Sequence, residues 1–232
     1  MKKPYLKKYS TISNFTVWIA DGKYIRENID EEFTNCGAHY RFRFIPKDEI
    51  WVDKEHGTSS EIQFYILGLL TMIRLLKKGK THAQAVRISN EIEKRERKKS
   101  KFFRDTIGKT KKYPEEIHKI HKKLLKKYSK GKINVWIVNG ILVRDLFFID
   151  FTEGGHDKVY HFIPKNEVWI DDDISQRERK FVLLHEIHER NLMAKKWPYQ
   201  KAHFDSSRIE FFCRHNPKEL DKKIFEEIKK TI

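Results

Sequence analysis

The chain contains only 2 cysteines, Cys36 and Cys213, in 232 residues. That is too few for a disulfide framework and points to a reducing compartment. Each reads as a small buried apolar residue. Long hydrophobic runs are lacking as well: the longest, from Phe64 to Ile73, falls well short of the roughly 20 apolar residues a bilayer-spanning helix needs. The basic start, MKKPYLKKYS, leads into no apolar stretch of the kind a secretory signal carries. These absences predict a soluble, cytoplasmic protein with no membrane partner.

Acidic residues are outnumbered, 33 Asp and Glu against 49 Lys and Arg, for a net charge of +16. The excess is concentrated: Lys94 to Lys132 holds 17 Lys and Arg against 4 Asp and Glu, so this stretch alone carries +13. After a break at Gly108-Lys109-Thr110-Lys111-Lys112, Pro114-Glu115-Glu116 has the features of a helix start, and the spacing predicts a helix through HKIHKKLLKKY. Two readings stand side by side. Residues 94–132 are either a solvated connector that packs Ile117, Ile120 and Leu124 on a neighbouring module, or a surface for non-specific nucleic acid. No sequence-reading motif is present. His118 and His121 lie among lysines, where the cationic surroundings disfavour a metal.

What the chain does have is an internal repeat. Val17-Trp18-Ile19 recurs as Val135-Trp136-Ile137, Phe33-Thr34 as Phe151-Thr152, and FIPKDEIWVD (44–53) as FIPKNEVWID (162–171), all at an offset of 118. At an offset of 117, Thr58-Ser59-Ser60-Glu61 faces Ser175-Gln176-Arg177-Glu178, and Ser89 to Glu93 faces Ser206 to Glu210. Such a period means two homologous units. The division this suggests is a basic tail (1–13), a first repeat (14–97), a lysine-rich connector with a helix (98–132) and a second repeat (133–232). Small modules of this size have apolar surface left over, which predicts a monomer in which the copies pack as a pseudo-symmetric pair.

Each module reads as about four antiparallel strands followed by two helices, an α+β arrangement. Asn139-Gly140 and Asp21-Gly22 carry a two-residue hairpin signal. A second strand pair is expected at 158–163 with 167–171, mirrored at 40–45 with 49–53. Ser175-x-x-Glu178 and Thr58-x-x-Glu61 are capping boxes that open helices. The helix after Ser175 should run to about Ala194, a second from Tyr199 to Arg214, and a third, capped by Asn216-Pro217, to Lys230.

The copies differ sharply at five positions: Ala38 against His156, Gly68 against His185, Leu69 against Glu186, Met72 against Glu189, and Val86 against His203. Joint loss of three histidines and two glutamates suggests one shared task. At 100° per residue, His185 and Glu189 share a helix face. An imidazole and a carboxylate on an apolar face are costly unless paired or metal-bound. Side chains at i and i+4 are the usual way for one helix to offer two ligands, with an intervening Glu as general base. Glu186 has that place, His203 is the best-placed third ligand, and His156, after the permissive Gly154-Gly155, is the next candidate. His188 remains an alternative to Glu189. Glu210 and Glu93 are common to both copies and read as a structural salt bridge or cap. Tyr199 reads as packing, with a role in orienting substrate open.

HEIHE at 185–189 followed by a histidine on the next helix resembles the zincin-like metallopeptidases, and the order of strands, active helix and ligand helix is similar to their minimal core. The resemblance covers about residues 175–214. It implies that His185 is the first ligand and Glu186 the catalytic base. Glu189 stands where that superfamily has its second histidine, and His203 where it often has a glutamate, so the ligand types are exchanged. The expected cofactor is a divalent transition metal, zinc by preference, held by His185, Glu189 and His203. Hydrolysis of a peptide or another carbonyl or phosphoryl substrate is the expected reaction, with His156 as an oxyanion donor or a further ligand. The alternative is a nucleic-acid- or protein-binding scaffold in which the metal is a structural clip closed by a fourth protein ligand, His156 or His188.

Overall fold

The computed structural model describes residues 4–56, 60–106 and 117–231. The chain divides into two compact units, Met1–Ile25 with Phe33–Tyr113, and Arg26–Glu32 with Pro114–Ile232. In chain order the first repeat runs β1 (Tyr5–Ile12), β2 (Phe15–Ala20), α1 (Gly22–Asn28), β3 (Cys36–Ala38), β4 (Glu49–Asp53), α2 (Ile62–Lys77), α3 (His82–Lys98) and α4 (Lys101–Thr106). The second runs α5 (Ile117–Ile120), β5 (His121–Leu124), β6 (Asn134–Val138), α6 (Gly140–Leu146), β7 (Gly154–His156), β8 (Glu167–Asp171), α7 (Gln176–Ala194), α8 (Tyr199–His215) and, after a 3-10 turn at Pro217–Glu219, α9 (Leu220–Lys229).

The class is α+β, with two four-stranded sheets in the orders β1-β2-β4-β3 and β5-β6-β8-β7, each followed by helices. The sheets are mixed and not wholly antiparallel. β2 pairs with β4, and β6 with β8, in parallel, through Val17↔Ile50 and Val135↔Val168 among others. A parallel pair needs a crossover, and the expected hairpins are its first turn. Asn139 Oδ1 accepts from the Leu142 N–H at 3.1 Å and caps α6. Gly140 is not among the residues with positive φ, which a two-residue hairpin of this kind requires. Its hydrogen side chain is needed because a Cβ there would run into the Asp171 carboxylate, as one at Gly22 would into Asp53.

The second expected strand pair also differs. Residues 158–163 and 40–45 form turns, and β8 pairs with β7, which places His156 opposite Val168. The basic segments Tyr5–Ile12 and His121–Leu124 are strands: β1 and β5 pair antiparallel with β2 and β6. Tyr5 stacks on Trp18 at 4.7 Å and meets Trp51 edge-on, and His121 stacks on Trp136 at 4.2 Å and meets Trp169 edge-on. These two residues are equivalent, so each repeat begins one strand earlier than the sequence match. Only α5 remains of the helix expected over HKIHKKLLKKY, because β6 offers an edge to pair. Lysines there suit an edge strand, where charge discourages further pairing. Thr58 and the stretch 108–116, where a capping residue, a break and a helix start were expected, lie outside the described residues.

The sheet core is built by the repeated apolar strands. Val135, Ile137, Val168 and Ile170 pack with Phe181, Val182 and Leu184 of α7 in the second unit. Val17, Ile19, Ile50 and Val52 pack with Ile62, Ile66 and Leu69 of α2 in the first. No helix among the described residues is long and apolar enough to cross a membrane.

Candidate metal centre

α7 begins where Ser175 Oγ accepts from the Glu178 N–H at 3.3 Å and ends before Lys196, whose φ is +69°. Glu178 does not complete the expected capping box. It is buried and takes Arg214 Nη1 at 2.8 Å and Arg26 Nη2 at 3.3 Å. Arg214 also donates from Nε to Glu210 Oε1 at 2.9 Å. The first unit repeats the cluster, with Arg97 paired to Glu61 and, at 2.9 Å, to Glu93. This shared Arg–Glu–Glu set joins the two helices after each sheet, and in the second unit it fixes the spacing across which His185, Glu189 and His203 face one another.

On that frame, one donor atom each from His185, Glu189 and His203 lies within 4.8 Å of the others. His185 Nε2 is 3.1 Å from His203 Nδ1, His203 Nδ1 is 2.8 Å from Glu189 Oε2, and His185 Nε2 is 3.6 Å from Glu189 Oε2. Tetrahedral ligands on bonds of about 2.0–2.1 Å sit about 3.3 Å apart. The three observed edges bracket that value.

The outer nitrogens of both rings are fixed by carboxylates. His185 Nδ1 is 3.0 Å from Glu210 Oε2 and His203 Nε2 is 3.2 Å from Glu32 Oε2. An ionised carboxylate only accepts, so the protons of the neutral rings sit outside and lone pairs face inward. Two lone pairs and a carboxylate oxygen at this separation repel unless a cation lies among them. A proton or a metal ion meets that need.

The electrostatics agree. Burial works against the charge of Glu189, but hydrogen bonds from His156, His185 and His203 hold its carboxyl well below the usual carboxylate range. Burial also disfavours a charged His185, and Glu189 and Glu210 override it to hold the imidazole well above its ordinary value. Glu189 and Glu32 raise His203 to about 9. Burial, with Glu189 nearby, pushes Glu186 up to about 8.

His156 is fully buried, with Nε2 3.0 Å from Glu189 Oε1. Its Nδ1 accepts from the Lys158 N–H at 3.2 Å. A backbone N–H can only donate, so Nδ1 carries no proton and Nε2–H donates to Glu189. In this arrangement His156 offers the centre a hydrogen and not a lone pair. His188 stands apart, with Nε2 3.0 Å from Asp205 and Nδ1 3.0 Å from Glu227, where it ties α7 to α8 and α9. Glu186, half-buried, shares a second cluster with His156 and Glu189.

In the first unit the corresponding Ala38, Leu69 and Met72 are buried and apolar, and Val86 is half-buried. A Cβ at Gly68 would lie 2.7 Å from Glu93 Oε2. The shared glutamate therefore leans over a glycine in one copy and hydrogen-bonds His185 in the other.

Comparing the copies by their differences misses Glu210 because it is common to both, and Glu32 because it comes from the other repeat. Tyr160 was also overlooked. Its counterpart is Phe42, so its hydroxyl is one more polar group gained in the second copy, within electrostatic reach of Glu186 and Glu189. Burial, then Glu186, raises its phenol above the ordinary value. Tyr199 stacks on His203 at 5.5 Å and is raised to about 12, by burial and then by Glu189 and Glu186. Gly154, where the first copy has Cys36, lets α7 approach the sheet: a Cβ there would lie 2.7 Å from Val182 Cγ1 and 3.2 Å from Glu186 Cγ.

Comparison with family models, with curated proteins and with solved structures finds no match.

Proposed function

We propose that the second unit is a metal-dependent hydrolase centre that binds one divalent transition metal ion, with zinc the best fit to two imidazoles and a carboxylate. The observation that carries this is the convergence of His185 Nε2, His203 Nδ1 and Glu189 Oε2, with the outer ring nitrogens held by Glu210 and Glu32. Carboxylate-backed histidines are the usual outer shell of metal ligands. A bound ion supplies Lewis acidity toward a substrate carbonyl or phosphoryl oxygen. Glu186 is the proton acceptor for the attacking water and returns the proton to the leaving group. The Nε2–H of His156 holds Glu189 Oε1. Peptides are the substrate class the zincin resemblance suggests.

Three ligands favour an open, catalytic centre over a closed structural clip. A clip needs a fourth lone pair, and His156 and His188, the two candidates for it, have their ring nitrogens engaged elsewhere. Metal analysis of purified full-length protein tests the reading: we expect one ion per chain, lost in His185→Ala and in His203→Ala. Glu186→Gln should keep the ion and lose hydrolysis of a peptide library. A wild-type protein that neither carries nor takes up metal overturns it.

A second reading concerns the cationic stretch. Lys94, Arg95, Lys98, Lys99, Lys101 and Arg104, at the end of α3 and in α4, are at the surface. We propose that this helix end binds phosphates without reading sequence.

A further inference from the structure

We propose that Glu32 is a positioning residue of the metal centre, holding His203 with Nδ1 inward, so that the second repeat's centre depends on a residue from the first repeat's sequence. This rests on the metal-centre reading above. Glu32 Oε2 lies 3.2 Å from His203 Nε2, and its Oε1 accepts from Ser207 Oγ at 2.7 Å. The carboxylate therefore spans two consecutive turns of α8, gripping the ring and the backbone segment that carries it. His203 needs such a grip. Its side chain is 34% exposed, against 11% for His185, and apart from Glu32 its outer side meets, among the described residues, the stacked ring of Tyr199.

The segment that brings Glu32 is itself anchored. Arg26, buried in the same unit, lies 3.3 Å from Glu178 Oε2 and 3.5 Å from Glu153 Oε1. Glu178 is also the partner of Arg214, which in turn holds Glu210 on His185. One buried charge network thus supports both carboxylates that orient the two histidines. The bond to His203 is no relic of the repeat pattern, because the equivalent of His203 is Val86. The Glu32 side chain is 47% exposed, so it serves no core, and the His203 and Ser207 bonds lower its carboxyl below the ordinary value.

The test is zinc affinity of full-length protein, measured by competition with a chromophoric chelator. Removing an outer-shell partner of a ligand histidine weakens metal binding by about 10- to 100-fold, and Glu32→Ala should fall in that range. Glu32→Gln should retain more affinity, since its amide oxygen still accepts from Nε2–H. Ser207→Ala, which frees Oε1, should show a smaller loss in the same direction. Long-range proton–nitrogen spectra of the zinc-loaded protein should show His203 protonated at Nε2 in the wild type, with that signal lost or exchange-broadened in Glu32→Ala. A purely structural role would lower the melting temperature without moving either readout. Zinc affinity equal to wild type in both Glu32 variants overturns the proposal and leaves the centre standing. A wild-type protein that binds no zinc overturns both.

Discussion

At the scale of single residues, the proposed metal centre sets protons and a metal ion in competition for one set of lone pairs. His203 is raised to about 9 and His185 well above its ordinary value by the carboxylates around them. A divalent ion must displace the protons these rings bind, so apparent affinity should climb with pH by up to about tenfold per unit for each proton released. Zinc titrations between pH 6 and 8, in buffers of different ionisation enthalpy, read that number directly, and a flat profile would sink the account. The same shifts govern the metal-free fold. His203 has a folded value above its unfolded value of about 6.5, so its contribution is fully present below that pH and lost as pH rises through about 9. Glu210 is held near 2, where Arg214 and His185 outweigh burial. Its contribution is present above about 4.3 and lost as pH falls through 2. Metal-free protein should therefore melt at progressively lower temperature from pH 6.5 to 9, and zinc should flatten that decline.

At the scale of elements, the two helices after each sheet depend on a buried arginine between carboxylates. Replacing Arg214 with Leu leaves Glu178 and Glu210 buried without their main cation. Breaking one side of a buried pair costs about 3–5 kcal/mol, and Arg97→Leu should cost a similar amount through Glu61 and Glu93. Only the Arg214 variant should also weaken zinc binding, because Glu210 orients His185 as well. Denaturant unfolding with and without zinc separates these effects. These helices were the most legible part of the chain. The Ser175 cap, the apolar faces and the Trp197-Pro198 break are local, and α7 and α8 fall almost where spacing puts them, whereas neither expected capping box is seen complete. The sheet was legible in class but not in order. Asn-Gly signals a tight turn, but the same asparagine caps a helix equally well, and the glycine is required by the Asp171 carboxylate arriving from β8, which leaves no room for a Cβ. No local pattern records an approach made across that distance. The basic strands failed for a related reason: lysine weakens strand propensity, and only the offered edges of β2 and β6 and the stacked Tyr5 and His121 rings make pairing worthwhile.

At the scale of the whole chain, duplication made part of the site readable. His156, His185, Glu186, Glu189 and His203 stood out as joint differences between two copies, whereas Glu210, kept by both, and Glu32, supplied from the other repeat, leave no such trace. Duplication accounts for only part of the charge: the lysines around β5 have their counterpart around β1, where LKKYS (6–10) recurs as LKKYS (125–129). Part of the +13 between Lys94 and Lys132 now has a structural use: Lys122 pairs with Asp172, and Lys127 and Lys130 lie over the ring of Phe225. Among the described residues, Lys94, Lys98, Lys101 and Arg104 at the end of α3 and in α4 face solvent, as do Lys119, Lys123, Lys126 and Lys132, while Arg97 is buried. If these side chains meet phosphates, binding to single- or double-stranded nucleic acid should be indifferent to sequence, and each lysine–phosphate pairing removed should lower the slope of log affinity against log salt by about 0.7–0.9. Changing Lys94, Lys98 and Lys101 to Gln should then reduce the slope by about 2–3 and leave zinc affinity unchanged. Fluorescence anisotropy across a salt series measures both the affinity and the slope. No binding by the wild type at low salt would remove the nucleic-acid role and leave the lysines as solubilising charge.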